Sequence, residues 1–363
     1  MSLYGANRVH RIRFNGVMAT PAPAWNIAQL TEPMSRERAR AILRANPGAR
    51  LADAASAWML LGLVPVGIVM VLVFGTALRM SSVGGHASVG TPLFGAMAVV
   101  VVIFMAFTIF GAVRSSLGRS TRLARLLGFA AENGFRFATR ERNPDYPGVI
   151  FRIGRDRQAT DHIVRTTPRF LDIGNFRYTT GSGKNRTVST RGFLALHLDR
   201  RVPHMLLDAR ANNSFLGSNL PVAFSPDQVL SLEGDFDRHF TLYCPRAYER
   251  DALYVFTPDL MALLIDEAGA FDVEVIDDWM FVYSQARFPM GDPATMLRLL
   301  RIVDTVGATT VERTDYYADE RIGNRAIDIV APQGARLRTG IPWTGVVIGA
   351  VAITLWIIVT VMR

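Results

Sequence analysis

Gly181, Gly183 and Lys184, in the stretch RYTTGSGKNR, are the residue types of a loop that cradles a phosphate. Such a loop needs G-x-x-x-x-G-K-S/T between a strand and a helix, so that helix-terminal amides face the anion. Here Tyr178 stands where the first glycine should be, and Asn185 follows the lysine. A run of strand character follows, Phe193 to Leu198. The stretch therefore reads as a hairpin turn, with glycine supplying the positive φ angles.

Asp235 and Asp237 form a D-x-D close to His239, a spacing some divalent-metal sugar transferases use. Asp is also favoured at hairpin turns for its local hydrogen bonds, and this one lies in such a turn. His197 and His204 fall on what read as adjacent strands, without a carboxylate at ligand spacing. Cys244 is the single cysteine, so intramolecular disulfides and thiolate metal centres are excluded. In the apolar run FTLYCP it reads as a small buried hydrophobe. No nucleophile elbow, H-E-x-x-H helix or glycine-rich strand-to-helix turn occurs. The sequence assigns no catalytic residue, no cofactor and no metal.

The asparagine-rich stretch DARANNSFLGSNLP, residues 208–221, differs in kind. Long polar loops carried on a rigid sheet concentrate recognition residues. Arg200, Arg201, Arg210, Asn212, Asn213 and Asn219 are accordingly the expected interaction loop.

The elements that must position these residues follow from period. Leu123, Leu126, Leu127 and Ala130 share one helical face, closed by Asn133-Gly134. Beyond Phe170 the period becomes two, with a slip at Gly174 that suggests a bulge. A short strand at 203–208 follows a tight link at Arg200-Arg201. Two further hairpins are expected, one through Gly234-Asp235 and one through Asp277-Asp278. Thr257-Pro258-Asp259 and Asp292-Pro293 each open a helix, proline being suited to the first helical position. Antiparallel hairpins with separate helices give an α+β domain.

Half of the residues are hydrophobic, and the excess lies in three uncharged runs. These are about Ala55–Leu78, Leu93–Val113 and Pro342–Met362, each long enough for the ~20 residues that cross a ~30 Å hydrocarbon core. Trp58 and Trp343 stand at span starts, where amphipathic rings favour headgroups. Residues 1–53 carry eight arginines against three acids, and residues 114–160 carry ten against four. The positive-inside rule then places both basic flanks in the cytoplasm. The spans hold no ionisable group, which favours an anchor over a transporter. Gly345 and Gly349 offer a close helix contact, hence a homodimer.

Lys184 is the only lysine beside 39 arginines, a bias that holds everywhere and points to base composition rather than phosphate recognition. Residues 251–306 carry ten acids against three arginines. That acidic half would turn away from an anionic leaflet or serve a basic partner.

The phrases RYTTGSGKN, PHMLLDARANNSFLGSNLP, LSLEGDFDRHFTLYCP, YERDALYVFTPDLMALLID and FDVEVIDDWMFVY together resemble an uncharacterised family of bacterial, chiefly actinobacterial, integral membrane proteins. The resemblance covers roughly residues 120–290. It implies a cytosolic α+β domain of unknown function beside membrane helices, and it transfers no catalytic residue.

The expected layout has a basic N-terminal segment at 1–53, partly helical or disordered, and a transmembrane helical hairpin at 54–113. The α+β cytosolic domain follows at 114–306, attached to three transmembrane α-helices in all. A linker at 307–340 leads to the last helix at 341–363. The expected function is a membrane-anchored binding or scaffold module at the inner face of the cell membrane. Its partners would be the lipid bilayer and a protein or a second copy, with no nucleic acid. The alternative is an enzyme acting on a lipid or glycan precursor through Asp235, Asp237 or His239.

Overall fold

The computed structural model describes residues 25–49, 68–70, 72–73, 75–76, 90–214, 218–324 and 327–340, with 354, 356, 358 and 360. The first and third apolar runs, and the connector at 80–89, lie largely or wholly outside the described residues. Two short helices come first, α1 (Ala28–Thr31) and α2 (Arg36–Ala45). Ser35 opens α2 by accepting a hydrogen bond from Arg38 N. Helix α3 (Gly90–Glu132) follows.

Among the described residues no helix is long and apolar enough to cross a membrane. This corrects the expected three-helix anchor, and with it the transmembrane character and the multi-pass placement in a cell membrane. The run at 93–113 is not a separate span. It is the leading part of α3, which continues unbroken into an arginine-bearing amphipathic part. In that second part Leu123, Leu126, Leu127, Phe129 and Ala130 are buried, whereas Val100, Ile103, Phe104, Phe107 and Phe110 ahead of them are exposed. The cytosolic label rested on the anchor and goes with it.

Seven strands follow: β1 (Arg136–Arg142), β2 (Arg155–Arg165), β3 (Leu171–Thr180), β4 (Thr187–Ala209), β5 (Val229–Leu230), β6 (Phe240–Tyr243) and β7 (Asp272–Ser284). They form one sheet in the order β1-β2-β3-β4-β6-β5, with β7 also paired to β4. All these pairings are antiparallel. Four helices pack around it: α4 (Glu249–Val255), α5 (Pro258–Leu263), α6 (Pro293–Ile302) and α7 (Ala308–Thr314). Asp292 caps α6 through Thr295 N at 2.9 Å, with Pro293 at the first helical position. The GSGKN stretch is a 3-10 turn between β3 and β4, with Gly181 and Gly183 at positive φ.

Two expected turns are not turns. Arg200-Arg201 lies inside continuous β4, and Asp277-Asp278 lies inside continuous β7. The two strands pair from Gly192 opposite Ser284 to His197 opposite Trp279, and again from Val202 opposite Asp277 to Leu207 opposite Val273. Between these stretches the register shifts, and Asp277 takes a left-handed conformation, φ 52°. Extra residues in a ladder bend a strand and increase its twist. The bend is sharp: Tyr283 Oη donates to Glu274 Oε2 at 2.6 Å. Those two residues, nine apart, would be ~30 Å from each other on a straight strand.

The bent sheet has two apolar faces. One packs Ile173, Leu194, Leu196, Met280 and Val282 with Leu126 and Phe129 of α3 and Met296, Leu299 and Leu300 of α6. The other gathers Tyr146, Phe151, Phe176, Phe193, Phe281 and Tyr283, largely edge to face. Residues 307–340, expected as a looser linker, are stitched to the domain. Leu337 N donates to His204 Nδ1 at 3.0 Å, Ser225 N donates to the Arg338 carbonyl and Gly340 N to the Ala223 carbonyl.

β3 keeps an unbroken register with β4, so the expected slip is not in β3: it is in β2, where Asp161 and His162 together stand opposite Gly174. A Cβ there would stand 2.2 Å from His162 Cβ and 2.8 Å from its Cα, and His162 is itself held by Asp172 at 3.0 Å. Gly174→Ala is expected to destabilise the fold by about 1–3 kcal/mol, the range for overpacking, read as a lower urea midpoint. Cys244 is fully buried. Burial, then the charges of Asp251 and Glu249, push its thiol up to about 12. Iodoacetamide at pH 8 is expected to spare Cys244 in the native protein and to label it once urea unfolds the chain.

Candidate functional site

A cleft of about 830 Å³ opens between α4 and the segment that follows α7. Its walls are Arg200, Arg250, Asp251, Tyr254, Asp315, Tyr316, Tyr317, Ala318, Glu320 and Arg321. Helix α4 starts with Glu249 and Asp251 in its first turn, where acids suit the helix dipole. Ala252 and Val255 face the core, so Arg250, Leu253 and Tyr254 share the outer side at helical spacing.

The floor of the cleft is a closed polar network. Buried Tyr317 donates from Oη to Asp251 Oδ1 at 2.7 Å, and Arg321 Nη1 reaches Asp251 Oδ2 at 3.1 Å. The Arg321 guanidinium lies 3.8 Å from the centre of the Tyr248 ring, a cation–π contact. Tyr248 Oη donates to Asp319, which also accepts from Ala331 N at 2.9 Å. Burial, then the Asp251 contact, raises the Tyr317 phenol well above its ordinary value. Burial pulls Arg321 down, but Asp251 and Asp319 outweigh it and hold the cation above its ordinary value. Every group in the floor has its partner, so the floor is rigid.

At one edge, Arg169 grips Asp199 with both guanidinium nitrogens, at 2.9 and 2.6 Å. That fork holds Asp199 below the usual carboxylate range. Asp315, raised first by burial and then by its contact with Asp199, keeps its proton to higher pH.

The expected interaction loop divides between two places. Arg200 belongs to the cleft: its Nε donates to the Tyr317 carbonyl at 3.1 Å. Arg201 is beside it, its backbone N–H bonded to Asp328. Arg210, Asn212, Asn213 and Asn219 lie past the far end of β4; Arg210 is exposed with its N–H bonded to the His239 carbonyl, and the asparagines gather near a buried carboxylate, Asp272. Asp272 Oδ1 accepts from Ala209 N at 3.0 Å and from Asn212 Nδ2 at 2.8 Å. Asn219 N donates to Asn213 Oδ1 at 2.9 Å, and Asn219 Nδ2 donates to the Asn212 carbonyl. Arg191 bonds Gln285 and the Asn219 carbonyl, closing the ring from the other arm of the ribbon.

Asp208 stands one step past the Leu207–Val273 pair, across from Asp272, and both are buried. Burial is the main cause that raises both carboxyls, Asp272 to about 6. Asn212 and Asn213 thus hang the loop on a carboxyl pair, with Asn212 Oδ1 left without a partner. Sequence reasoning missed Asp208, Asp272 and Arg191 here, and Arg250, Tyr254, Tyr316 and Arg321 in the cleft. A usable signal was the alternation His204, Leu206, Asp208, which places Asp208 on the inner face.

The other candidates are used locally. Asp237 accepts from Ser231 Oγ and Leu232 N, and Asp235 lies 3.9 Å from His239 Nε2 at an exposed turn. His197 and His204 do not meet: His197 faces Asp278 at 3.3 Å, and His204 Nε2 donates to Glu274 Oε1 at 2.7 Å. Among the described residues no group of three or more His, Cys, Asp or Glu side chains could hold a metal ion.

No family model and no curated protein matches this chain. A crystal structure of the mycobacterial trehalose monomycolate transport factor A aligns with 49% of this chain and 92% of that one. The identity is 10% and the TM-score 0.31, a likeness too slight to argue fold or function.

The raised Asp272 carboxyl sets a pH dependence. Its native value of about 6 lies above that of the unfolded chain, so the native state holds a proton that the unfolded state has lost. The stability it contributes is full below about pH 4 and disappears as pH rises through about 6, on the order of 3 kcal/mol. Urea unfolding from pH 4 to pH 8 is expected to show that decline, and Asp272→Asn is expected to flatten it.

Proposed function

We propose that this domain is a protein-binding or scaffold module whose recognition surface is the cleft beside α4. The observation that carries the reading is Tyr316, whose side chain is 88% exposed at the mouth of the cleft. The neighbouring Tyr317 is buried in the hydrogen-bonded floor. Tyr254 is about half exposed on the opposite wall, and Leu253, equally exposed, precedes it on α4. Ile327 and Ile329, also exposed, flank Asp328, which pairs with Arg200 of the cleft.

Exposed apolar side chains grouped around a concavity mark interaction sites. Tyrosine and arginine are the types enriched at the energetic centres of protein interfaces. The pre-ordered floor supports the same reading, because little ordering cost remains when a partner docks. The enzyme reading draws no comparable support, since the carboxylates of its D-x-D motif serve their own turn.

A photo-crosslinking amino acid placed at position 316 in the full-length protein tests this directly. Discrete protein adducts are expected from position 316 and none from position 184 in the exposed hairpin turn. Adducts should disappear when Tyr254→Ala is added. Equal labelling from both positions, or none from 316, would overturn the reading.

A further inference from the structure

Resting on that reading, we propose that the cleft takes an extended segment of a partner protein. That segment places a carboxylate against Arg250 and a large apolar side chain against Tyr254 and Tyr316. Most of the charged groups in the cleft are already engaged. Arg321 is held by Asp251, by Asp319 and by the face of Tyr248. Arg200 is held by the Tyr317 carbonyl and by Asp328. Arg250 is exposed and has no hydrogen bond or ion pair among the described residues.

The acidic groups are engaged as well. Asp251 accepts from Tyr317 and Arg321 on its two oxygens, and Asp315 is occupied with Asp199. Glu320 has a partner of its own. The lining balances three arginines against three acids, and Arg250 is the cation left without a partner among the described residues; its guanidinium fork suits a carboxylate.

Helical spacing sets apolar surface beside that cation. Arg250, Leu253 and Tyr254 lie at i, i+3 and i+4 on α4, so the cation and the apolar surface are neighbours on one face. Tyr316 stands on the other wall of the same cleft. A side chain entering next to the carboxylate would be covered from both walls. The volume of about 830 Å³ exceeds what one side chain fills. It falls within the ~300–1,000 Å³ range of ligand pockets, which suits a run of several residues.

Selection from a displayed random-peptide library against the full-length protein tests the proposal. The enriched peptides should pair Asp or Glu with a neighbouring Leu, Phe or Trp. Arg250→Glu should weaken such a peptide at least tenfold in fluorescence anisotropy, and replacing the peptide's acid by Arg should restore binding to that variant. Tyr316→Ala should weaken both peptides, with thermal melts confirming that each variant folds.

Enriched peptides that depend on Tyr316 but show no charge preference would overturn this inference and leave the binding module standing. Absence of any Tyr316-dependent peptide would remove both. Self-association of the chain, abolished by Tyr316→Ala in light scattering, would make a second copy the occupant and overturn the partner segment.

Discussion

The fold depends on one constraint, that β4 and β7 stay paired while bending back on themselves. Asp277 in a left-handed conformation and the shifted register from His197 to Met205 accomplish the bend. Everything on the inner face follows from it. Glu274 meets Tyr283 and Asp272 meets Gln285 only because the two arms of β7 face each other. A strand running straight would leave those carboxylates apart and the aromatic cluster open on one side.

The bend also explains why polar side chains line an interior. Folding a sheet face onto itself traps whatever the period-two alternation put there, polar or not. Burying such groups costs little only when each finds a partner. His204 meets this condition with Glu274 and Leu337 N, and Asp172 meets it with Tyr146 and His162. Asp208 and Asp272 meet it in part, and the loop asparagines are drawn inward to complete them. The same chemistry that made that loop look available for recognition thereby commits it to the fold.

Local grammar was legible in this sequence where the cause is local. The Asp292-Pro293 helix start, the glycine-bearing turn at 181–183 and the apolar face ending at Asn133-Gly134 all depend on neighbours in the chain. What failed has a common cause. Arg200-Arg201 and Asp277-Asp278 have turn composition but lie opposite one another across a ladder, and nothing within either segment tells of the other. Strands β1 and β2 were missed because β1 is an edge strand rich in arginine and β2 carries a bulge at Asp161 that breaks the alternation. Hydropathy suggested a membrane anchor, whereas the described residues contain no helix that crosses one. The cleft was hidden because its walls, near 200, 250 and 316–321, are far apart in sequence and ordinary in composition.

The last described stretch carries a mechanical meaning. Arg336 grips Asp277 at the corner of the sheet with both nitrogens, at 3.0 and 2.8 Å, while Leu337 and Arg338 bond to His204 and Gln228. Tension applied to the chain past residue 340 would reach the Gly340–Ala223 backbone bond first and then the bonds of Arg338, Leu337 and Arg336. A pull from the C-terminal side would thus pass through Arg336 to Asp277, the hinge of the ribbon.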